Sequence, residues 1–316
     1  MKNRRMKTNE INSLEGTIVK GIAGFYYVKS GEALYRCKAR GVFKQRDIKP
    51  AVGDNVLMEV IPGNEDSIIT EILPRKNSFV RPFVANVDCF VIVTAVWKPA
   101  PVLDILDKFL VMAEKACTDI ILCINKCDLA LSEDDKGRKN KKAVQSLNLL
   151  KEIYSGIYRV ICLDSKSGQG FDELKKMIKG KASALAGPSG VGKSTILNRL
   201  IPEATAETGH ISEKSGRGRH TTRHSELFTI DEESGSMIFD TPGFTSFDIP
   251  QIKEQELQHL YPEIETELGK CRYNDCMHIA EPECGVLRAL EEGRIHKSRY
   301  DSYISQLNEI RKNRQY

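Results

Sequence analysis

Gly187-Pro188-Ser189-Gly190-Val191-Gly192-Lys193-Ser194 fits the pattern G-x-x-x-x-G-K-[ST] and follows the apolar run Ala182–Ala186. These residue types at this spacing suit the cradling of a polyphosphate. Glycines let the backbone curl so that successive N–H groups converge, and the helix expected over 194–200 adds the partial positive charge of its N-terminus. Lys193 is long enough to reach β- and γ-phosphates. The Ser194 hydroxyl is expected on Mg²⁺, with Thr195 beside it in the same turn. Average composition gives this pattern by chance in about one chain per hundred of this length, and the strand-to-helix context makes a merely structural glycine turn rarer still.

A phosphate cradle does not distinguish bases. A second motif does. The apolar run 120–124 ends in Asn125-Lys126-Cys127-Asp128, an N-K-x-D element. A carboxylate at Asp128 accepts two hydrogen bonds from guanine, whose N1–H and exocyclic amine both donate. Adenine offers no donor at N1, and a site built on such bonds rejects the analogue that lacks them. Asn125 and the Lys126 stem frame the base loop. A further loop follows the run 158–163 as Asp164-Ser165-Lys166-Ser167-Gly168. It resembles the S-A-K element of GTPases with aspartate in place of the usual serine, so only Ser165 and Lys166 carry over as base-side residues. The reading is therefore GTP or GDP as ligand.

Met237-Ile238-Phe239 runs into Asp240-Thr241-Pro242-Gly243, a D-x-x-G element. Asp240 is expected to hold Mg²⁺ through water, and the Gly243 N–H to approach the γ-phosphate. Many GTPases place a water-orienting glutamine directly after this glycine. Here the position is Phe244, whose ring cannot orient water. The replacement is sought upstream, in Gly216-Arg217-Gly218-Arg219-His220-Thr221-Thr222, where a first switch belongs. His220 is the expected catalytic residue alongside Lys193. Thr222, or Thr221, is expected to complete the magnesium shell.

The elements that must position these residues fall into three groups. Residues 14–73 read as short alternating strands (16–29, 33–44, 55–61 and 67–73) broken by glycine turns, the signature of a small barrel of the oligonucleotide-binding or SH3-like kind. Residues 74–77 read as a linker. From about residue 83, apolar runs (87–94, 120–124, 158–163, 182–186, 237–239) alternate with helical stretches (103–117, 143–154, 171–178, 194–200). This is the pattern of a mostly parallel sheet covered on both faces, with ligands at the carboxyl ends of its strands. After residue 250 the chain reads as helical, with an amphipathic stretch at 287–315. Cys271, Cys276, His278 and Cys284 interrupt this last part with three thiols and one imidazole, a closed tetrahedral zinc set.

The 316-residue chain is 41% hydrophobic and 28% charged, the balance of a globular protein able to bury a core. It has no apolar run long enough for a membrane helix and no apolar stretch after its basic start, which points to the cytoplasm. Nine cysteines form no disulfide framework, and Cys123, Cys127 and Cys162 sit among apolar residues as small hydrophobes. The net charge of +4 is uneven: residues 1–50 hold twelve Lys/Arg against four Asp/Glu, a local +8, leaving −4 for the rest. A basic module of this kind fits contact with a polyanion.

The order of the motifs is rotated. The usual series places the phosphate loop first and N-K-x-D late; here N-K-x-D and its companion loop precede the phosphate loop. With its permuted motifs, R-G-R-H-T-T segment, N-terminal barrel and C-terminal cysteine cluster, the chain resembles, over nearly its whole length, the ribosome small-subunit-dependent GTPase family RsgA, also called YjeQ or YloQ. The resemblance implies a multi-domain α/β protein: an OB-fold RNA-binding domain with a basic arm (1–75), a circularly permuted P-loop GTPase domain (76–248) and a helical zinc-binding domain (249–316). It implies GTP hydrolysis stimulated by the small ribosomal subunit, a role in that subunit's late maturation, contact with its rRNA among assembly factors, and a monomeric state. It also implies one structural zinc on Cys271, Cys276, His278 and Cys284, and a catalytic histidine at His220. A nucleotide-dependent RNA-binding switch with negligible hydrolysis is the competing reading, motivated by Phe244.

Overall fold

The computed structural model describes residues 12–45, 48–61, 63–133, 138–201, 225–241, 244 and 252–313. The chain divides into two compact units, Met1–Val87 with Glu203–Pro242, and Asp88–Pro202 with Gly243–Tyr316.

In the first unit, β1 (Asn12–Ile22), β2 (Phe25–Ser30), β3 (Ala33–Ala39), β4 (Asn55–Val60) and β5 (Ser67–Ile72) hydrogen-bond in the order β1-β2-β3-β5-β4. β4 returns onto β1, from Asn12↔Val60 to Thr17↔Asn55, and closes the barrel. β1 shifts register between Ile18 and Lys20, and the bulge bends the strand so that one end serves β4 and the whole of its second half serves β2. β3 and β5 run parallel. The closure is that of an OB-like barrel, which resolves the choice against an SH3-like one. Ile18, Val28, Cys37, Val56, Met58 and Ile69 fill its interior, each fully buried.

Three local readings are corrected. The strand expected over 16–29 is two strands, because Ala23 and Gly24 both take positive φ (50° and 85°) and turn the chain in a tight hairpin. The strand expected over 33–44 stops at Ala39, and α1 (Gly41–Gln45) follows. Residues 74–77 are no loose linker: Arg75 donates to both carboxylate oxygens of the buried Asp54, at 2.6 and 2.8 Å, and Asn77 exchanges two side-chain bonds of 2.9 Å with the Val87 backbone. A small hairpin, β6 (Ser78–Val80) with β7 (Phe83–Ala85), comes next. The unit also contains the antiparallel hairpin of β12 (Glu226–Asp231) and β13 (Ser236–Asp240), with β12 laid against β1 at Lys20↔Glu226.

The second unit holds β8 (Cys89–Ala95), β9 (Asp119–Asn125), β10 (Arg159–Cys162) and β11 (Ala182–Ala186) in the parallel order β10-β9-β8-β11. All seven residues of β8 are buried, as a strand covered on both faces requires. The helices are α2 (Leu103–Lys115), α3 (Asp128–Leu131), α4 (Lys141–Tyr154), α5 (Phe171–Met177) and α6 (Lys193–Leu200). Asn140 caps α4 by accepting the Ala143 N–H at 3.3 Å. The C-terminal part is helical: α7 (Glu254–Leu257), α8 (Pro262–Glu265), α9 (Gly285–Glu291) and α10 (Lys297–Asn313). Within the amphipathic stretch 287–315, Gly293 takes φ 74° and ends α9 in a left-handed cap. Tyr261, Ile264, Val286, Ala289, Tyr303 and Leu307 form its core, together with Val111 of α2. Among the described residues, no helix is long and apolar enough to cross a membrane.

Candidate nucleotide site and metal centre

The phosphate loop is shaped by three glycines that only glycine could occupy without strain: Gly187 at φ 140°, Gly190 at 79° and Gly192 at 104°. A Cβ on Gly187 would collide with the Val93 carbonyl oxygen, so β8 and the loop approach closely. α6 starts at Lys193, directly after the last of these glycines. The Lys193 ammonium donates to the Gly187 and Pro188 carbonyls, 2.7 Å each, and so lies folded along the loop it serves. Burial lowers its pKa, which primes it to gain from an anionic neighbour.

Asn125 is fully buried at the end of β9 and holds three segments together. Its amide donates to the Val191 carbonyl at 2.8 Å and to the Ser165 hydroxyl at 3.2 Å, and its carbonyl accepts the Ser165 N–H at 3.1 Å. A Cβ on Gly192 would strike the same amide. Lys126, in left-handed conformation at φ 60°, donates to the Gly190 carbonyl at 2.8 Å and to that of Lys98. Burial lowers its pKa and Lys166 lowers it further, against the pull of Asp128. Asp128 opens α3 half-buried beside this loop.

The aspartate that departs from the S-A-K pattern has a structural task. The Asp164 carboxylate accepts the N–H groups of Lys166 and Ser167, at 2.9 and 3.2 Å, and closes the turn that presents Ser165 and Lys166. Burial opposes its ionisation, but the Ser167 hydroxyl and these N–H groups outweigh it and hold the carboxyl below its usual range. Arg199 of α6 completes the loop. Its guanidinium donates to the carbonyls of Lys166 and Ser167, at 3.1 and 2.9 Å, and stands over the Phe171 ring. Sequence reasoning missed Arg199. Its only signal is position, six residues beyond Lys193 on the helix that leaves the phosphate loop.

Phe244 is 1% exposed and meets Phe90 edge-on, with centroids 5.0 Å apart; its carbonyl accepts the Gly187 N–H at 3.1 Å. The side chain fills core and the backbone braces the phosphate loop. Asp240 ends β13 in the first unit. His220, Thr221, Thr222 and Gly243 lie outside the described residues.

Cys271, Cys276, His278 and Cys284 converge, with one ligand atom from each lying within 4.8 Å of the others. The Cys271 and Cys284 sulfurs are 3.9 Å apart, and His278 Nδ1 is 3.7 and 3.3 Å from them. Two thiolates at the corners of a zinc tetrahedron stand about 3.8 Å apart, so the donor set and its spacing fit that ion. His278 Nε2 lies 2.9 Å from the Gln258 side-chain oxygen, a contact that puts the ring proton on Nε2 and turns the Nδ1 lone pair toward the thiols. The Gly285 and Leu287 N–H groups donate to the Cys271 and Cys284 sulfurs, at 3.3 and 3.4 Å, favouring thiolate. Burial lowers the pKa of His278 toward the neutral, ligating form.

A family model described as the RsgA GTPase matches residues 72–250, and one described as the RsgA N-terminal domain matches residues 15–69. Among curated proteins, the small ribosomal subunit biogenesis GTPase RsgA of Alkaliphilus metalliredigens is 42% identical over 304 residues, spanning 96% of this chain and 99% of its own. Its counterpart in Clostridium perfringens is 43% identical, spanning 94% and 98%. Among solved structures, YjeQ from Thermotoga maritima is 35% identical with a TM-score of 0.79, over 95% of this chain and 99% of that one. YloQ, described as a circularly permuted GTPase, is 30% identical with a TM-score of 0.78, over 98% of each. Rotated motifs, barrel, permuted GTPase fold and Cys₃His cluster agree with these likenesses along the whole chain: it belongs to the RsgA family of circularly permuted GTPases.

Proposed function

We propose that this chain binds GTP and hydrolyses it to GDP and phosphate in the cytoplasm, on the small ribosomal subunit, during late maturation of that subunit. The observation that carries the nucleotide half is Asn125, whose three hydrogen bonds join the base loop, the companion loop and the phosphate loop into one cradle. The ribosomal half is supported by relatives spanning 94% or more of the chain that are named as small ribosomal subunit biogenesis GTPases. In this reading Asp128 selects guanine, framed by Asn125, Lys126, Ser165 and Lys166. The loop from Gly187 to Thr195 holds the phosphates. Ser194, Thr222 (or Thr221) and Asp240 hold magnesium, and Gly243 meets the γ-phosphate. Residues 1–75 bind rRNA, 76–248 carry the nucleotide, and 249–316 are braced by zinc on the Cys₃His set; the protein acts as a monomer.

Asp128→Ala removes both hydrogen bonds to guanine. GTP affinity is expected to fall by about 150-fold or more, the low end for two charge-assisted bonds, while ATP affinity stays within about threefold. Equilibrium titration with both nucleotides checks this, and an unchanged GTP/ATP ratio removes Asp128 from the base site. The buried Phe244 ring cannot orient water, so the task passes to His220. His220→Ala is expected to bind a GTP analogue as the parent does and to lose about 100-fold of subunit-stimulated turnover. A wild-type chain that binds subunits in a nucleotide-dependent way without accelerated turnover would instead favour the non-hydrolysing switch.

A further inference from the structure

The hairpin of β12 and β13 is the chain between the segment 216–222 and the Asp240 element, the two candidate switches. It belongs to the same compact unit as the barrel. The two are joined on both sides of the hairpin. On one side, Lys29 of β2 reaches across to donate to the Thr229 hydroxyl at 2.8 Å and to both Glu232 oxygens at 2.6 and 2.7 Å, and Lys20 of β1 pairs with Glu226 at 3.0 Å. A groove of about 530 Å³ lies beside these contacts, lined among others by Thr17, Asn55 and Met237, so polar bonds rather than packing hold this side. On the other side, Phe239, next to Asp240 and 2% exposed, packs against the barrel backbone at Gly53. A Cβ there would lie 2.8 Å from the Phe239 ring and collide with the Ala85 carbonyl. Gly53 in turn donates to the Ile18 carbonyl of β1 at 2.8 Å and accepts from Asn86 at 2.9 Å.

We propose that the barrel senses the nucleotide state through this hairpin, and that polynucleotide bound on the barrel biases the Asp240 element by the same route, with Lys29 as a positioning residue. A shift of Asp240 carries Phe239 with it, and Phe239, buried against Gly53, passes the displacement to β1. Lys29 and Lys20 keep the far edge of the hairpin in step with β1 and β2. Coupling between two such sites is reciprocal, so a barrel that responds to nucleotide also sends the response back. The inference rests on the nucleotide reading above and on Asp240 as a switch residue.

Hydrogen exchange on the full chain, with Mg·GDP against magnesium and a non-hydrolysable GTP analogue, tests it without any ribosomal component. In the wild type, exchange in 226–240 is expected to differ between the two states. Exchange in 17–30 and 52–55 is expected to differ as well, by about fivefold, the low end of common coupling strengths. In Lys29→Met, and in Glu232→Gln, which changes an exposed side chain and keeps the barrel intact, the differences in the hairpin and in 52–55 stay, and the difference in 25–30, on the Lys29 side, falls to less than about twofold. A nucleotide-insensitive barrel in a wild type whose hairpin responds overturns the inference, as does a wild-type response in both variants. If neither nucleotide protects 187–194, the nucleotide reading itself falls and takes the inference with it.

Discussion

Arg299→Ala is expected to cost the second unit about 3–5 kcal/mol, the range for removing one partner of a buried ion pair. The side chain is fully buried on α10. It donates to Asp107 of α2 at 2.5 Å and forks onto Glu263 of α8 at 2.6 and 3.2 Å. Its guanidinium stands 4.5 Å from the Tyr261 centroid, with Tyr154 and Tyr158 at 5.6 and 5.8 Å. Burial works against the charge, but Asp107 and Glu263 outweigh it and hold the Arg299 pKa well above its usual value. Truncation leaves Asp107 buried without its counter-ion, and burial already pushes that carboxyl up. Arg299→Lys is expected to recover little, because one ammonium cannot serve a planar fork and stack on tyrosine at once. Denaturant unfolding followed by circular dichroism checks both variants; a loss below about 1 kcal/mol for Arg299→Ala contradicts the account. The network also has a bearing on function. Asp107 lies on α2, which follows the Lys98 carbonyl that accepts from Lys126, so the helical C-terminal part is tied to the base side of the cradle.

Stripping metal is the second large effect. A structural zinc contributes apparent folding free energy of about 10–16 kcal/mol in isolated zinc-finger peptides. Here the ion would join Cys271, Cys276, His278 and Cys284 across a segment with little regular structure between Lys270 and α9. The surrounding contacts presuppose the cluster: the Tyr300 and Tyr303 hydroxyls donate to the His278 and Met277 carbonyls, at 2.8 and 3.1 Å, and the Glu281 carboxylate gathers the N–H groups of Met277, Ile279 and Ala280. Protein purified without chelator is expected to carry one zinc per chain by elemental analysis. A strong chelator, or Cys276→Ser, is expected to unfold the region from Gln258 through α10, with a thermal midpoint lower by about 10 °C or more. Zinc-free protein of unchanged stability contradicts the assignment.

The sequence revealed the parallel strands of the second unit almost to the residue, because buried strands are continuous apolar runs ending in motif residues. It concealed β12. Glu226-Leu227-Phe228-Thr229-Ile230-Asp231 is short, has charged ends and sits on the far side of a segment rich in glycine and arginine. The Ala23-Gly24 turn was hidden inside a stretch with strand-like composition, and the tether of Arg75 to Asp54 spans 21 residues, beyond any local pattern. In the site, Asn125, Lys126 and the glycine loop were readable because their types and spacing are dictated by phosphate and base. Arg199 was not, since it acts on backbone carbonyls, which leave no mark on the sequence of their own residues. Phe244 was readable as an absence of glutamine; its burial against Phe90 needed the fold.

The proposed GTPase answers to the small ribosomal subunit. The most direct measurement is steady-state phosphate release from GTP by the purified chain, alone and with isolated small subunits, with large subunits as the control. The account predicts slow turnover alone and acceleration of about 100-fold or more by small subunits only, abolished in Lys193→Ala. Turnover that small subunits leave unchanged would contradict it.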